Sequence, residues 1–333
     1  MRIVVTGGSG FIGSNFIKKC LKKNYKILNI DKITYAGNPK NLEEFKKNKN
    51  YSFLKKDIID RNLRNLIVNF KPDAIVHFAA ETHVDRSIKK SKVFLETNIL
   101  GTYNLLEIVR LSPKKIRFLH ISTDEVYGDL GKTKKKFTIK SKYAPSSPYS
   151  ASKASADHLV NAWHRTYNID SLIINCSNNY GPNQFLEKLI PNSILCLFQN
   201  KRIPIYGKGN QVRDWLFVND HCDAIEKVLK KGFAGETYLI GGNNEISNIN
   251  LIKKIIKKFF KIKKSNNKIL FNNFIKFVKD RPGHDIKYSV DTSFILNRLK
   301  WRPTTSLDEG IEITIRWYME NLDWINNLVN KKK

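Results

Sequence analysis

Two short stretches carry side chains whose types and spacing suit chemistry. The stretch "FLHISTDEVYG" (118–128) runs as an apolar strand and ends on Thr123, Asp124 and Glu125. "SPYSASKAS" (147–155) holds Tyr149 and Lys153. Four residues make about one helical turn, so the phenol and the ammonium share a face. An ammonium there is expected to lower the tyrosine pKa, letting a phenolate remove a hydroxyl proton while hydride leaves the same carbon. Adjacent carboxylates at the mouth of a buried strand are unfavourable as two charges. Repulsion and desolvation favour protonating one, which sets an acid and a base side by side.

Departing hydride needs an acceptor, and the N-terminus offers a place for one. In "TGGSGFIG" (6–13), Gly7, Gly10 and Gly13 lie between an apolar run and an amphipathic one. Glycines at these positions permit a tight turn and let backbone approach a pyrophosphate, while the helix N-terminus contributes donors and positive dipole. Asp31 stands eighteen positions after Gly13, where a carboxylate accepts hydrogen bonds from an adenosine ribose and disfavours the extra phosphate of NADP. NAD is therefore the expected cofactor. Lys32 adjoins Asp31, and Asp57 and Ile58 follow the third apolar run, where an adenine edge would lie.

These groups need a scaffold, and the first 180 residues supply its pattern. Apolar runs "RIVVTG", "YKILNID", "YSFLKKDI", "DAIVHFAA", "IRFLHIST" and "SLIINCS" alternate with amphipathic stretches such as "SNFIKKCLKK" and "FLETNILGTYNLLEIVR". Such alternation predicts repeated βαβ units and a doubly wound parallel sheet of the Rossmann type, an α/β fold. From about residue 182 prolines and irregular links increase, which predicts a smaller C-terminal substrate-binding lobe. The expected division is a cofactor-binding domain with the catalytic groups over 1–180. The second unit, 181–330, is expected to interleave with returns to the main sheet.

The chain has 333 residues, 41% of them hydrophobic, and a formal net charge of +29. That charge would ordinarily suggest nucleic acid or an anionic membrane. In "INLIKKIIKKFFKIKK" (249–264), however, Ile252, Ile255, Ile256, Phe259 and Phe260 recur at helical spacing, which sends the lysines to a solvent face. Nucleic acid is thus not the expected partner, and "KTKKKFTIKSK" (132–142) is expected to be an exposed basic loop. No apolar run reaches the roughly 20 residues that span a bilayer, and no cleavage-like segment precedes the glycine loop. Cys20, Cys176, Cys196 and Cys222 are scattered without metal or redox spacing, so four free thiols and a cytoplasmic location are expected. His83 and Asp85 have no cluster of further ligands and are expected to form a packed hydrogen-bonding pair rather than a metal site.

Longer blocks point to a family. The chain resembles the nucleotide-sugar 4,6-dehydratases of the extended short-chain dehydrogenase/reductase superfamily through "DKITYAGN", "HFAAETHVDRSI", "STDEVYGDL", "APSSPYSASKASADHLV", "NCSNNYGPNQFLEKLIP", "IYGKGNQVRDWLFVNDH" and "DRPGHDIKYSVD". The resemblance implies oxidation of a hexose at C4 by NAD, with Tyr149 and Lys153 at the hydride centre and Thr123 beside them. Glu125 then takes the C5 proton, Asp124 protonates the departing C6 hydroxyl, and hydride returns to C6. Related epimerases usually lack the acidic pair and related decarboxylases tend to keep only the glutamate, so Asp124 discriminates against both, while the intact set Thr123, Asp124, Glu125, Tyr149 and Lys153 argues against a non-catalytic basic scaffold.

Cofactor contacts implied by the resemblance extend the glycine loop through Phe11 and Ile12 and add Thr34, Ala79, Ala80, Thr97 and Asn179. For the substrate it implies Thr82 at the hexose. Asn178, Lys188, Leu189, Arg213, Asn248, Asp280, Arg281 and His284 fall around the nucleotide and its phosphates, and Pro204, Ile205 and Tyr206 line the base pocket. The implied substrate is dTDP-glucose, with UDP-glucose as the alternative suggested by Thr82 in place of a usual serine. Leu186 replaces a usual proline, a change expected to loosen the loop that presents Lys188. A homodimer formed by paired helices is also implied.

Overall fold

The structure is a computed structural model that describes residues 1–264 and 270–330. Its centre is a seven-stranded sheet, every pair parallel. Six strands come from the first half: β1 (Arg2–Thr6), β2 (Lys26–Asp31), β3 (Tyr51–Lys55), β4 (Ala74–His77), β5 (Arg117–Thr123) and β6 (Ser171–Cys176). The lobe strands are β7 (Asn178–Tyr180), β8 (Ile203–Tyr206), β9 (Val212–Phe217), β11 (Glu245–Ser247) and β12 (Ile275–Val278), while β10 (Thr237–Ile240) returns to the main sheet beside β6. The order β10-β6-β5-β4-β1-β2-β3 reverses between β1 and β4. In open α/β sheets that reversal opens a crevice at the carboxyl ends of the strands.

Position in the sheet explains the composition of each strand. β4 lies between β1 and β5 and is buried at all four residues, whereas β3 at the edge leaves Ser52 and Phe53 exposed. Helix α1 (Phe11–Lys22) packs Phe16, Ile17, Cys20 and Leu21 inward and places Lys19 and Lys22 in its last turn, where the dipole favours cations. The main helix of the site, α2 (Pro148–Tyr167), starts with proline and with a reciprocal capping box between Ser147 and Ser150. One expected helix is irregular: Leu95–Leu100 forms a π-helical turn before regular helix resumes over Gly101–Arg110.

The lobe has its own core. Helix α3 (Asn248–Ile262) buries Leu251, Ile252, Ile255, Ile256 and Phe259, with Phe260 partly buried beside them, as the spacing predicts. On its outer side Lys254 and Lys258 pair with Asp308 and Glu312 of α4 (Leu307–Glu320). Such exposed pairs contribute at most about 1 kcal/mol each, so apolar burial carries this contact. All four cysteines are free. The basic segment 132–142 is less free than expected, because buried Phe137 pairs with Val290 and Lys136 faces Glu245. Among the described residues no helix is long and apolar enough to cross a membrane.

Candidate active site

The glycine loop folds as its sequence requires. Gly7 has φ +70°, and a Cβ there would stand 2.5 Å from the Ala79 nitrogen on the neighbouring chain segment. A Cβ on Gly13 would stand equally close to the Gly7 carbonyl oxygen. Close approach therefore demands glycine at both positions. No side chain caps α1 at Gly10, which leaves its first N–H groups for a ligand in the cavity beside it. Asp31 accepts hydrogen bonds from Ser9 N (3.0 Å) and Ile33 N (2.8 Å) and lines the same cavity. Its carboxylate thus fixes the turn and retains lone pairs that a ribose can use. Lys32 reaches Asp57 (3.3 Å) and Thr97 (3.3 Å).

One cavity of about 290 Å³ joins this loop to the carboxyl ends of β5 and β6. All the expected cofactor residues line it: Gly7, Gly10, Phe11, Ile12, Gly13, Asp31, Lys32, Thr34, Asp57, Ile58, Ala79, Ala80, Thr97, Tyr149, Lys153 and Asn179. Thr82, Thr123, Asp124, Glu125, Asn178 and Lys188 complete the wall. The loop, the carboxylate after β2 and the uncapped helix start together fit a dinucleotide.

The two carboxylates sit in different surroundings. Asp124 is 1% exposed, and its Oδ2 has no hydrogen-bond partner. Burial, then the charges of Glu125 and Asp214, push its pKa well above the ordinary carboxylate value. Burial also raises Glu125, but Arg213, Lys188 and Arg281 oppose that rise with positive charge. The fold therefore favours a proton on Asp124 and a charge on Glu125. Thr123 caps the turn Asp124–Tyr127 by accepting from Glu125 N (3.3 Å), which fixes both carboxylates at the end of β5.

Tyr149 and Lys153 differ from the expectation. Lys153 Nζ donates to the Ile121 carbonyl (2.9 Å) and lies 3.2 Å from His120 Nε2; among the described residues it makes no hydrogen bond to Tyr149. Burial, followed by the charges of Glu125 and Cys176, raises the phenol well above its ordinary pKa, with nearby Thr123 acting the other way. Burial thus sets the phenol pKa, and the lowering expected from the ammonium is not among its causes. Sharing a helix face did not bring the two polar tips together, because the lysine turns beneath the site.

The expected substrate residues Pro204, Tyr206, Arg213, Asn248, Asp280, Arg281 and His284 belong to the lobe and lie outside the lining of this cavity. Tyr206 donates to Asp85 (3.2 Å), Arg281 approaches Asp85 (3.8 Å) and lies over the Tyr206 ring, and His284 faces Asp280 (2.6 Å). Arg213 donates to the Asp285 carbonyl (2.9 Å) and lies over Tyr288. Several calls change here. Ile205 points into the lobe core, so only Pro204 and Tyr206 face outward from β8. Leu189 starts the helix Leu189–Phe198 and packs on the same core. Leu186 is buried there too and anchors the loop it was expected to loosen. His83 and Asp85 do not pair with each other. His83 caps the helix Val84–Lys89 and faces Glu187 (3.6 Å), while Asp85 turns to the lobe.

Several of the expected residues carry buried polar atoms with no hydrogen-bond partner among the described residues. Besides Asp124 Oδ2, they include Asn178 Oδ1, Asn248 Oδ1 and Arg281 Nε, three residues expected at the nucleotide. Sequence reasoning missed Glu81, Gln184 and Glu187 in the cavity wall and Asp214, Asp285 and Tyr288 behind the acidic pair. It also missed Asp157, although Tyr149, Lys153 and Asp157 form a run of four-residue steps on one helix.

Comparisons with known proteins agree with this geometry. The sequence profile of the family described as GDP-mannose 4,6 dehydratase matches residues 4–314. A dTDP-glucose 4,6-dehydratase of Neisseria meningitidis serogroup B is 48% identical over 341 aligned positions, covering 99% of this chain and 96% of the relative. The chain belongs to the nucleotide-sugar 4,6-dehydratase family. The crystal structure of the dTDP-glucose 4,6-dehydratase from Bacillus anthracis in complex with NAD superimposes on this dehydratase fold with a TM-score of 0.89 at 42% identity, over 98% of this chain and 99% of that one. The NAD-bound enzyme of Streptomyces venezuelae gives 0.92 at 41%, over 98% and 100%. The 4,6-dehydratase likeness therefore spans both the cofactor half and the lobe.

Proposed function

We propose that the protein is a dTDP-glucose 4,6-dehydratase that holds NAD and forms dTDP-4-keto-6-deoxyglucose, a precursor of deoxysugars such as rhamnose. The observation that carries this reading is the division of one acidic pair. Asp124, buried and with Oδ2 free of any hydrogen-bond partner while Oδ1 accepts from Thr123, is suited to give a proton, and Glu125, faced by three cations, is suited to take one. Bound NAD supplies the hydride acceptor at C4, the donor at C6 and, in its oxidised form, a cationic ring. Tyr149, raised by burial, needs such added positive charge before its phenolate can take the C4 hydroxyl proton. Glu125 removes the C5 proton, acidified by the C4 ketone, and Asp124 protonates the leaving C6 hydroxyl so that water departs. Lys188, Arg213 and Arg281 answer the diphosphate, and Tyr206 with Pro204 the base.

Residues 1–180 bind the cofactor and do the chemistry, and 181–330 hold the nucleotide. The enzyme works in the cytoplasm as a homodimer, without nucleic acid. Thr82, which lines the cavity and stands in place of a usual serine, is the ground for a second reading in which UDP-glucose is the substrate. Mass spectrometry of each nucleotide sugar incubated with the protein and NAD separates them. Loss of one water from dTDP-glucose at the faster rate is the expected result. Faster loss from UDP-glucose transfers the assignment, and no loss from either removes the dehydratase reading.

A further inference from the structure

We propose that Asp157, acting through His120, is a positioning residue that supplies the buried counter-charge for Lys153 and holds its ammonium at the floor of the cavity. Lys153 is 3% exposed and Asp157 is fully buried. An ammonium so deep is unfavourable unless an opposite charge and hydrogen bonds compensate it. His120 Nε2 stands between them, 3.2 Å from Lys153 Nζ and 3.3 Å from Asp157 Oδ1. The other carboxylate oxygen, Oδ2, accepts from Tyr143 Oη (2.9 Å) and Asn175 Nδ2 (2.8 Å), so α2, β5, β6 and the loop before α2 all fix Asp157.

The charge in this chain of contacts belongs to Asp157. His120 is fully buried, and burial together with the nearby ammonium lowers its pKa to about 4, so the imidazole is neutral. Its Nε2 either accepts from the ammonium or donates to the carboxylate, according to tautomer. Burial acts to raise the Asp157 pKa, but the facing His120 Nε2 and the charge of Lys153 outweigh it and keep the carboxyl below its ordinary value. Lys153 itself is lowered to about 8, with burial driving the fall and Asp157 opposing it. His77 from β4, Cys176 from β6 and Tyr149 from α2 are the remaining titratable groups around Lys153, and burial keeps each of them uncharged near neutral pH. With one proton committed to the Ile121 carbonyl and, in the tautomer whose Nε2 accepts, a second to His120, the ammonium keeps at least one to direct into the cavity.

This inference rests on Lys153 serving the proposed reaction, but its test reads the lysine directly. The Lys153 side chain is titrated by NMR in the full-length protein with labelled lysine, its signal assigned by its loss in Lys153→Met. Asp157→Asn keeps an acceptor for Tyr143 and removes the charge, so the Lys153 pKa is expected to fall by about one unit or more. His120→Leu cuts the link and is expected to shift it the same way, whereas His120→Gln, whose amide can accept and donate at once, is expected to restore it. In the active enzyme the alkaline limb of kcat should move down with the NMR value. An unchanged Lys153 pKa in folded Asp157→Asn overturns the proposal. Should that variant not fold, equal pKa values in His120→Leu and His120→Gln overturn it. A dehydratase assay that fails while the NMR shift appears would remove the functional reading and leave the Asp157–Lys153 coupling standing.

Discussion

Asp124 and Glu125 are neighbours of the same chemical type, and their surroundings set them apart. General acid and base groups each contribute about 10²- to 10⁴-fold, so Asp124→Asn and Glu125→Gln should each slow dehydration by about that factor. The two losses differ in kind. Glu125→Gln should also abolish solvent deuterium exchange at C5, while Asp124→Asn should retain it; the reverse pattern would exchange their roles. The raised Asp124 pKa makes a separate prediction about stability. Above the ordinary value of 3.8 the unfolded chain releases this proton while the folded chain still holds it. Stability therefore falls as pH rises from there toward the raised folded value. Asparagine has no proton to hold, so its advantage in melting temperature over the parent protein should grow with pH across that window. A difference that does not vary with pH would mean that Asp124 is not protonated in the fold.

At the level of elements, the glycine loop shows how a site depends on packing between segments. Alanine at Gly7 would need an unfavourable positive φ and would press its Cβ against the backbone at Ala79. Gly7→Ala should destabilise the protein by about 1–3 kcal/mol and release NAD on gel filtration. An unchanged melting curve with retained cofactor would contradict that packing. This loop was legible in the sequence because strand, turn and helix follow one another within a dozen residues. β1, β2 and β4 to β6 were legible for a similar reason, since buried parallel strands appear as apolar runs between amphipathic helices, and edge strand β3 was legible from its place in the same alternation. The lobe was not. Tyr206, Arg281 and Asp85 meet across long sequence separations, and no local period records that meeting. Ile205 was misplaced because the alternation of β8 turns it inward between Pro204 and Tyr206. Lys153 was misdirected because helical spacing fixes a face but not where a long side chain ends.

For the whole molecule, a homodimer of paired helices requires an apolar face left outside the fold. One is present: Leu100, Tyr103 and Tyr167 are 54%, 45% and 47% exposed, and the Tyr103, Trp163 and Tyr167 rings touch in succession along the helix Gly101–Arg110 and α2. These helices pass behind the catalytic groups, since α2 carries Tyr149 and Lys153. A second copy of the chain placed on the face by two-fold symmetry would bury each of these side chains twice. One substitution then acts at two places in the interface. Tyr103→Glu sets a carboxylate at the centre of the patch and its symmetry mate nearby, so desolvation and like-charge repulsion both oppose association. Light scattering after gel filtration should give the mass of two 38.6 kDa chains for the parent protein and of one for Tyr103→Glu, without loss of helical signal. Because the substituted residue lies away from the cavity wall, any fall in activity should be reversed by raising the protein concentration. A parent protein that runs as a monomer, or a variant that remains paired, would show that these helices do not form the interface.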